Sequence, residues 1–174
     1  HCCVRAAGIK AGDLVLTTPF SFVSSTNVIL FENAIPVFID AEPQTGNIDV
    51  EQLAQAAADI TAGGERAKKW LPKGVTEHGP LKAILPVDVF GQPAEYDAIN
   101  AIAKEYNLKV IEDSCEALGG EYKGRKAGML GDYGVFAFYP NKQITVGEGG
   151  MIVTDDDEAA VLMQSLRNQG RAVG

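Results

Sequence analysis

Three places in the chain combine residue types that do chemistry with a position that would expose them to a ligand. The first is VIEDSCEALGG, Val110 to Gly120, where Glu112 and Asp113 stand side by side at the end of an apolar run. An acid at the carboxyl end of a strand faces the crevice where ligands bind in open α/β sheets. Asp113 then either pairs with a cationic ligand atom in a partly buried site or caps the helix or turn that follows.

The second place is VFAFYPNKQITVGEGG, Val135 to Gly150, which sets Lys142 after an aromatic strand and before a Gly-Glu-Gly-Gly turn. Most lysines are solvated surface groups. A lysine beside Phe136, Phe138 and Tyr139 can instead lose hydration, which favours the neutral amine that attacks a carbonyl carbon. Gly147, Gly149 and Gly150 either let backbone approach closely or form a hairpin turn. The third place is TTPFSFVSSTN, Thr17 to Asn27, where Phe20 and Phe22 follow a strand directly. Their rings either pack in the core or stack on a flat cofactor.

The elements that must position these residues alternate. Leu14–Thr18, Ile35–Asp40, Lys82–Val87 and Leu108–Glu112 read as strands, with Tyr133–Phe138 and Met151–Thr154 following. Helical spacing occupies the gaps: a helix capped by Ser21 or Ser24 and running toward Asn33, one from Asn47 to Ala58, one from about Ala94 to Tyr106, and one from Asp156 to Asn168. Ala62 to Pro80 has no clean period and reads as an elaborated surface loop. This order predicts an α/β domain of βαβ units with a mostly parallel sheet covered by helices. No internal repeat or linker divides it.

Composition narrows the functional classes. A net charge of -8 and a pI near 4.7 argue against a nucleic-acid partner, whose affinity comes from clustered Lys and Arg. Any anionic ligand must be held by local features such as helix N-termini or single cations. No stretch reaches bilayer-spanning length and no signal peptide is visible, so no membrane association and a cytoplasmic address are expected. Three cysteines do not make a disulfide framework. His1, Cys2 and Cys3 point about 100° apart on a helix, and no second ligand cluster follows, so they read as helix packing and no metal is expected.

Taken in order, TTPFSFVSSTN, ILPVDVFGQPAEYD, VIEDSCEALGGEYKGRKAGMLGDYGVFAFYPNKQITVGEGGMIVT and SLRNQGR span nearly the whole chain and jointly resemble the DegT/DnrJ/StrS-type sugar aminotransferases. The resemblance implies the large domain of a type I pyridoxal-phosphate-dependent transferase, aspartate-aminotransferase-like, working as a homodimer. It also implies nucleotide-linked keto sugars as amino acceptors and an amino acid, glutamate or glutamine, as donor. Matched by position, Lys142 corresponds to the lysine that holds pyridoxal 5'-phosphate as a Schiff base, Asp113 to the carboxylate on the pyridine nitrogen, and Phe22 to the ring that stacks on the cofactor. Asp113 would keep that nitrogen protonated so the ring can accept an electron pair, and Lys142 would shuttle the proton between two carbons.

Three positions depart from the family pattern. Glu116 lies where many members have Gln or His near the cofactor's phenolic oxygen, Ala137 where a serine often contacts the cofactor, and Val146 where Thr is common. The family's Ser-Gly-Thr phosphate-binding turn would precede His1 and its small C-terminal domain would follow Gly174. Residues 1–174 are therefore expected to be the central part of the large domain, inactive alone. Two rivals remain. A dehydratase of the same family characteristically has histidine in place of the lysine, and a noncatalytic regulatory protein can use the same fold.

Overall fold

β1 (Leu14–Thr17) lies between β2 (Ile35–Phe38) and β3 (Leu81–Leu85), and the sheet continues through β4 (Lys109–Asp113), β7 (Tyr133–Ala137) and β8 (Gly150–Val153), in the order β2-β1-β3-β4-β7-β8. Every neighbouring pair runs parallel except β7 and β8. A two-stranded hairpin, β5 (Glu121–Tyr122) and β6 (Arg125–Lys126), stands apart. These positions come from a computed structural model of the chain, which describes residues 1–172.

The strands are apolar on both faces because helices cover both. Successive side chains alternate: Leu14 and Leu16 enter one core with Ile84 and Val110, while Val15, Ala83, Leu85 and Ile111 enter the other. The first core is closed by α3 (Val50–Ala62) and α5 (Tyr96–Tyr106), through Leu53, Ala56, Ile99 and Ile102. The second is closed by α1 (Cys2–Ala6), α2 (Ser24–Leu30) and α6 (Asp157–Arg167), through Val4, Ile29 and Met163. At roughly 25 cal/mol per Å² of apolar surface removed from water, these two layers dominate the stability.

Helix ends follow local chemistry. Asp49 accepts the amides of Glu51 and Gln52 and starts α3, three residues later than Asn47, while Asp156 accepts the amide of Ala159 at α6. Asn107 stops α5 in the left-handed region, at φ 54°. The expected serine cap of α2 is not made. Its N-cap is Val23, with no side-chain bond.

The segment 62–80 is more ordered than its composition suggests, since it holds the short helix α4 (Gly64–Lys68). Its Ala67 is buried, and the Trp70 indole donates to the buried Asp59 at 3.0 Å, which Lys69 also approaches at 2.6 Å. His1 contacts Glu32 at 2.6 Å while Cys3 is buried, so the first turn serves packing. No helix among the described residues is long and apolar enough to cross a membrane.

Candidate active site

The chain leaves β1 for β2 on one side and returns to β3 on the other, so the strand order reverses between β1 and β3. A crevice opens outside the carboxyl ends of strands at such a reversal. A cavity of about 550 Å³ lies there, walled by segments that follow four parallel strands. Pro19, Phe20, Ser21, Phe22 and Ser24 contribute from β1, Val87, Val89 and Phe90 from β3, Asp113, Cys115 and Glu116 from β4, and Ala137, Tyr139, Asn141 and Lys142 from β7.

Asp113 ends β4 half-buried on the cavity side. Its Oδ2 accepts the Ser25 hydroxyl at 2.7 Å and its Oδ1 accepts the Cys115 amide at 3.2 Å. Asp113 therefore caps the turn that follows and also lines the crevice. Ser25 in turn meets Ser21 at 2.8 Å, one helical turn earlier. Ser21, one of the two serines expected to cap α2, thus meets Ser25, and Ser25 orients the carboxylate. Position alone did not single out Ser25, although its spacing from Ser21 was the available signal.

Glu112, one residue earlier, points the other way. It is fully buried, and its carboxylate accepts the amides of Gly128, Leu130 and Gly131. The loop that supplies these donors needs its glycines. Gly128 has φ +87°, and a Cβ on Gly134 would fall 1.9 Å from the Gly128 carbonyl oxygen.

Lys142 sits in the loop between β7 and β8 and reaches into the cavity, its side chain 16% exposed. Its Nζ lies 3.4 Å from Glu116 Oε1, and Glu116 Oε2 accepts the Phe90 amide at 3.1 Å. Of the aromatic residues expected around Lys142, Tyr139 lines the cavity. Phe136 and Phe138 do not, because Phe136 pairs with Met151 in the sheet and packs over Gly128.

Phe22 is 77% exposed at the cavity, which removes core packing as its role. Phe20 meets Phe90 edge to face, with centroids 5.8 Å apart, and the two form an aromatic wall. Phe90 holds φ +55°, uncommon for a large residue. Ala137 lines the cavity, while Val146 is exposed outside its lining. The turn before β8 is no tight hairpin: the connection runs from Phe138 to Gly149, and the Val146 amide donates back to the Phe138 carbonyl at 3.1 Å.

Burial and the Asp113 carboxylate push the Cys115 thiol well above its usual range, so it remains a thiol and not a nucleophile. The cavity thus brings together an amine, two carboxylates and a bare aromatic ring. Such a set can hold a flat, cationic heterocycle and bond a carbonyl carbon.

Comparison with known proteins gives this set a family. GDP-perosamine synthase from Caulobacter vibrioides is 39% identical over 170 residues, which cover 98% of this chain and 40% of that enzyme. A DegT DnrJ EryC1 StrS aminotransferase from Brucella abortus superposes with a TM-score of 0.83 at 34% identity, over 94% of this chain and 41% of that one. GDP-4-keto-6-deoxymannose-3-dehydratase, solved with a trapped PLP-glutamate geminal diamine, superposes with a TM-score of 0.78 at 28% identity, over 97% and 40%. The chain spans about 40% of the length of the relatives it matches. The profile of the DegT/DnrJ/EryC1/StrS aminotransferase family matches residues 1–174, and the chain belongs to that family.

Proposed function

We propose that the full-length protein carrying this chain is a pyridoxal-phosphate-dependent aminotransferase that moves an amino group from glutamate or glutamine to a nucleotide-linked keto sugar. In this reading residues 1–174 are the central part of its cofactor-binding domain, and the protein works as a homodimer. The observation that carries the reading is the arrival of Lys142 and Asp113, from different strand ends, in one cavity whose open wall presents Phe22. The donor set suits the cofactor. A carboxylate braced by the Ser25 hydroxyl and the Cys115 amide fits a protonated ring nitrogen, and an exposed phenyl ring fits a heterocycle's face.

When bound, pyridoxal phosphate supplies an electron sink for the pair left when a proton leaves the substrate carbon. Asp113 would keep the proton on the ring nitrogen, with Ser25 and the Cys115 amide holding both carboxylate oxygens in place. Lys142 would hold the cofactor through Nζ, and its free amine would carry the proton between two carbons of the substrate. Glu116 receives the Lys142 Nζ at 3.4 Å and holds the free amine near the reacting atoms. Phe22 would cover the ring and shed water from it.

Loss of a sugar hydroxyl, the reaction of the dehydratase relative, is disfavoured by lysine at 142. A donor and acceptor screen on the full-length protein tests the proposal. Amino transfer from glutamate or glutamine to a keto sugar nucleotide is expected, and deoxygenation of the sugar without amine transfer would assign the protein to the other reaction.

A further inference from the structure

Behind Asp113, on the far side of the sheet end, lies a closed polar cluster that the proposed reaction does not touch. Asp88, Glu112 and Ser114 are each 0% exposed and Tyr96 is 1% exposed. Asp88 follows β3, Glu112 and Ser114 flank Asp113, and Tyr96 begins α5. Among the described residues no Lys, Arg or His donates to either carboxylate.

The hydrogens do not suffice for the contacts. Glu112 receives the amides of Gly128, Leu130 and Gly131 and the Ser114 hydroxyl, the last at 2.7 Å. Asp88 Oδ1 receives the Ala94 amide and the Tyr96 hydroxyl, each at 3.0 Å, and its Oδ2 meets the same Ser114 hydroxyl at 2.7 Å. Ser114 has one hydrogen and two carboxylates at full hydrogen-bond distance. One of the two contacts needs a proton from a carboxyl group.

Geometry says which one. Both oxygens of Glu112 are already taken by backbone amides, an arrangement that suits the anion. Among the described residues Asp88 Oδ2 has no partner besides Ser114, and is free to be the donor. We propose that Asp88 is a neutral carboxylic acid that donates its proton to Ser114, which donates to Glu112, and that this chain makes Asp88 a positioning residue for Asp113. Burial, opposed in part by the Ser114 and Ala94 hydrogen bonds and reinforced by the nearby Glu112 charge, raises Asp88 to about 7. The groups facing it are Glu112 and Ser114 from the β4 end and Tyr96 from α5, with Asp113 adjoining.

The grip on Asp113 is direct. The Asp88 amide donates to the Asp113 carbonyl at 2.9 Å, and the Asp113 amide donates to the Pro86 carbonyl at 3.0 Å. Residue 113 is therefore held by its own main chain and by both neighbouring side chains. A neutral Asp88 also limits the buried charge behind Asp113 to one carboxylate, which amides stabilise. This role rests on the reading of Asp113 as the partner of the cofactor's ring nitrogen; the location of the proton does not.

Two variants of the full-length protein test it. Asn at 88 reproduces the donor and acceptor pattern of a protonated aspartate, whereas Ala leaves Ser114, Tyr96 and the Ala94 amide without it. Infrared spectra at pH 6 should show a protonated-carboxyl carbonyl band in the wild type that D88N lacks. An acid whose folded pKa is raised stabilises the fold below its unfolded value of 3.8, and loses that contribution as pH rises toward 7. The melting temperature of the wild type relative to D88N should therefore fall across that window. Absence of the band, or a difference that stays flat or rises with pH, would overturn the neutral Asp88.

For the positioning role, D88A should weaken pyridoxal phosphate binding by about tenfold and D88N should restore it. Equal affinity in D88A and wild type would overturn that role. A wild type that binds no pyridoxal phosphate would instead overturn the functional reading and the role with it, while the infrared band still decides where the proton sits.

Discussion

At the end of β4 the polar groups answer one another within a few ångströms, whereas the loop that carries Lys142 is open along almost its whole length. Glu112 and Ser114 are buried, and Asp113 has both carboxylate oxygens engaged. From Tyr139 to Gly150, by contrast, every residue but Lys142 is exposed. The difference suits the two tasks proposed for these residues. A carboxylate that must hold one ring nitrogen in one orientation gains from rigid support, because a small misplacement weakens a charge-assisted bond. A lysine that must bond the cofactor, release it and then move a proton gains from a stem that can swing.

The contrast is open to attack from both sides, and the sides should fail differently. In the full-length protein Lys142→Ala should abolish amino transfer, while changing unfolding free energy by less than about 0.5 kcal/mol, as expected where little packing is lost. A destabilised K142A protein would mean that the loop is part of the fold's support. Glu112→Gln should do the reverse, costing about 3 kcal/mol in denaturant unfolding because an amide NH2 would face backbone donors that the carboxylate now accepts. If E112Q melts with the wild type, the buried cluster is not the anchor described here.

Smaller changes refine the contrast at its edges. Ser25→Ala frees one oxygen of Asp113 and should weaken cofactor binding by about tenfold, the loss of one hydrogen bond to a charged group, as followed by spectroscopic titration. An unchanged affinity would show that the Cys115 amide suffices. Glu116→Gln removes the ion pair to Lys142 at a partly exposed site, and stability should move by less than about 0.5 kcal/mol. A larger change would place Glu116 with the rigid end.

The same division governed what could be read without coordinates. The alternation of apolar strands with helices was legible, because period-two and period-3.6 patterns record which face is buried. That Asp113 and Lys142 stand at one crevice was legible from their places at strand ends. The support behind them was not. Ser25 carries no local signal of its own, and its bond to Asp113 spans 88 positions in the sequence. Asp88 sits among apolar residues and Ser114 beside the acids that draw attention, and their pairing exists only once β3 and β4 lie side by side.

Short elements escaped for a related reason. α4 carries two glycines at its start and is held by Ala67 burial and by Trp70 and Lys69 reaching Asp59, contacts that local propensity does not contain. The β5–β6 hairpin has only two residues a strand. Its signal was the Lys123-Gly124 turn, where both residues take positive φ, at 50° and 80°.

The central claim is that Lys142 is the residue bonded to the cofactor. Reduction of the full-length protein with borohydride in the presence of pyridoxal phosphate, followed by peptide mapping, addresses it directly. A pyridoxyl group on the peptide containing Lys142 is the expected product, absent from the K142A protein. A pyridoxyl group on another lysine, or none on any, would contradict the assignment.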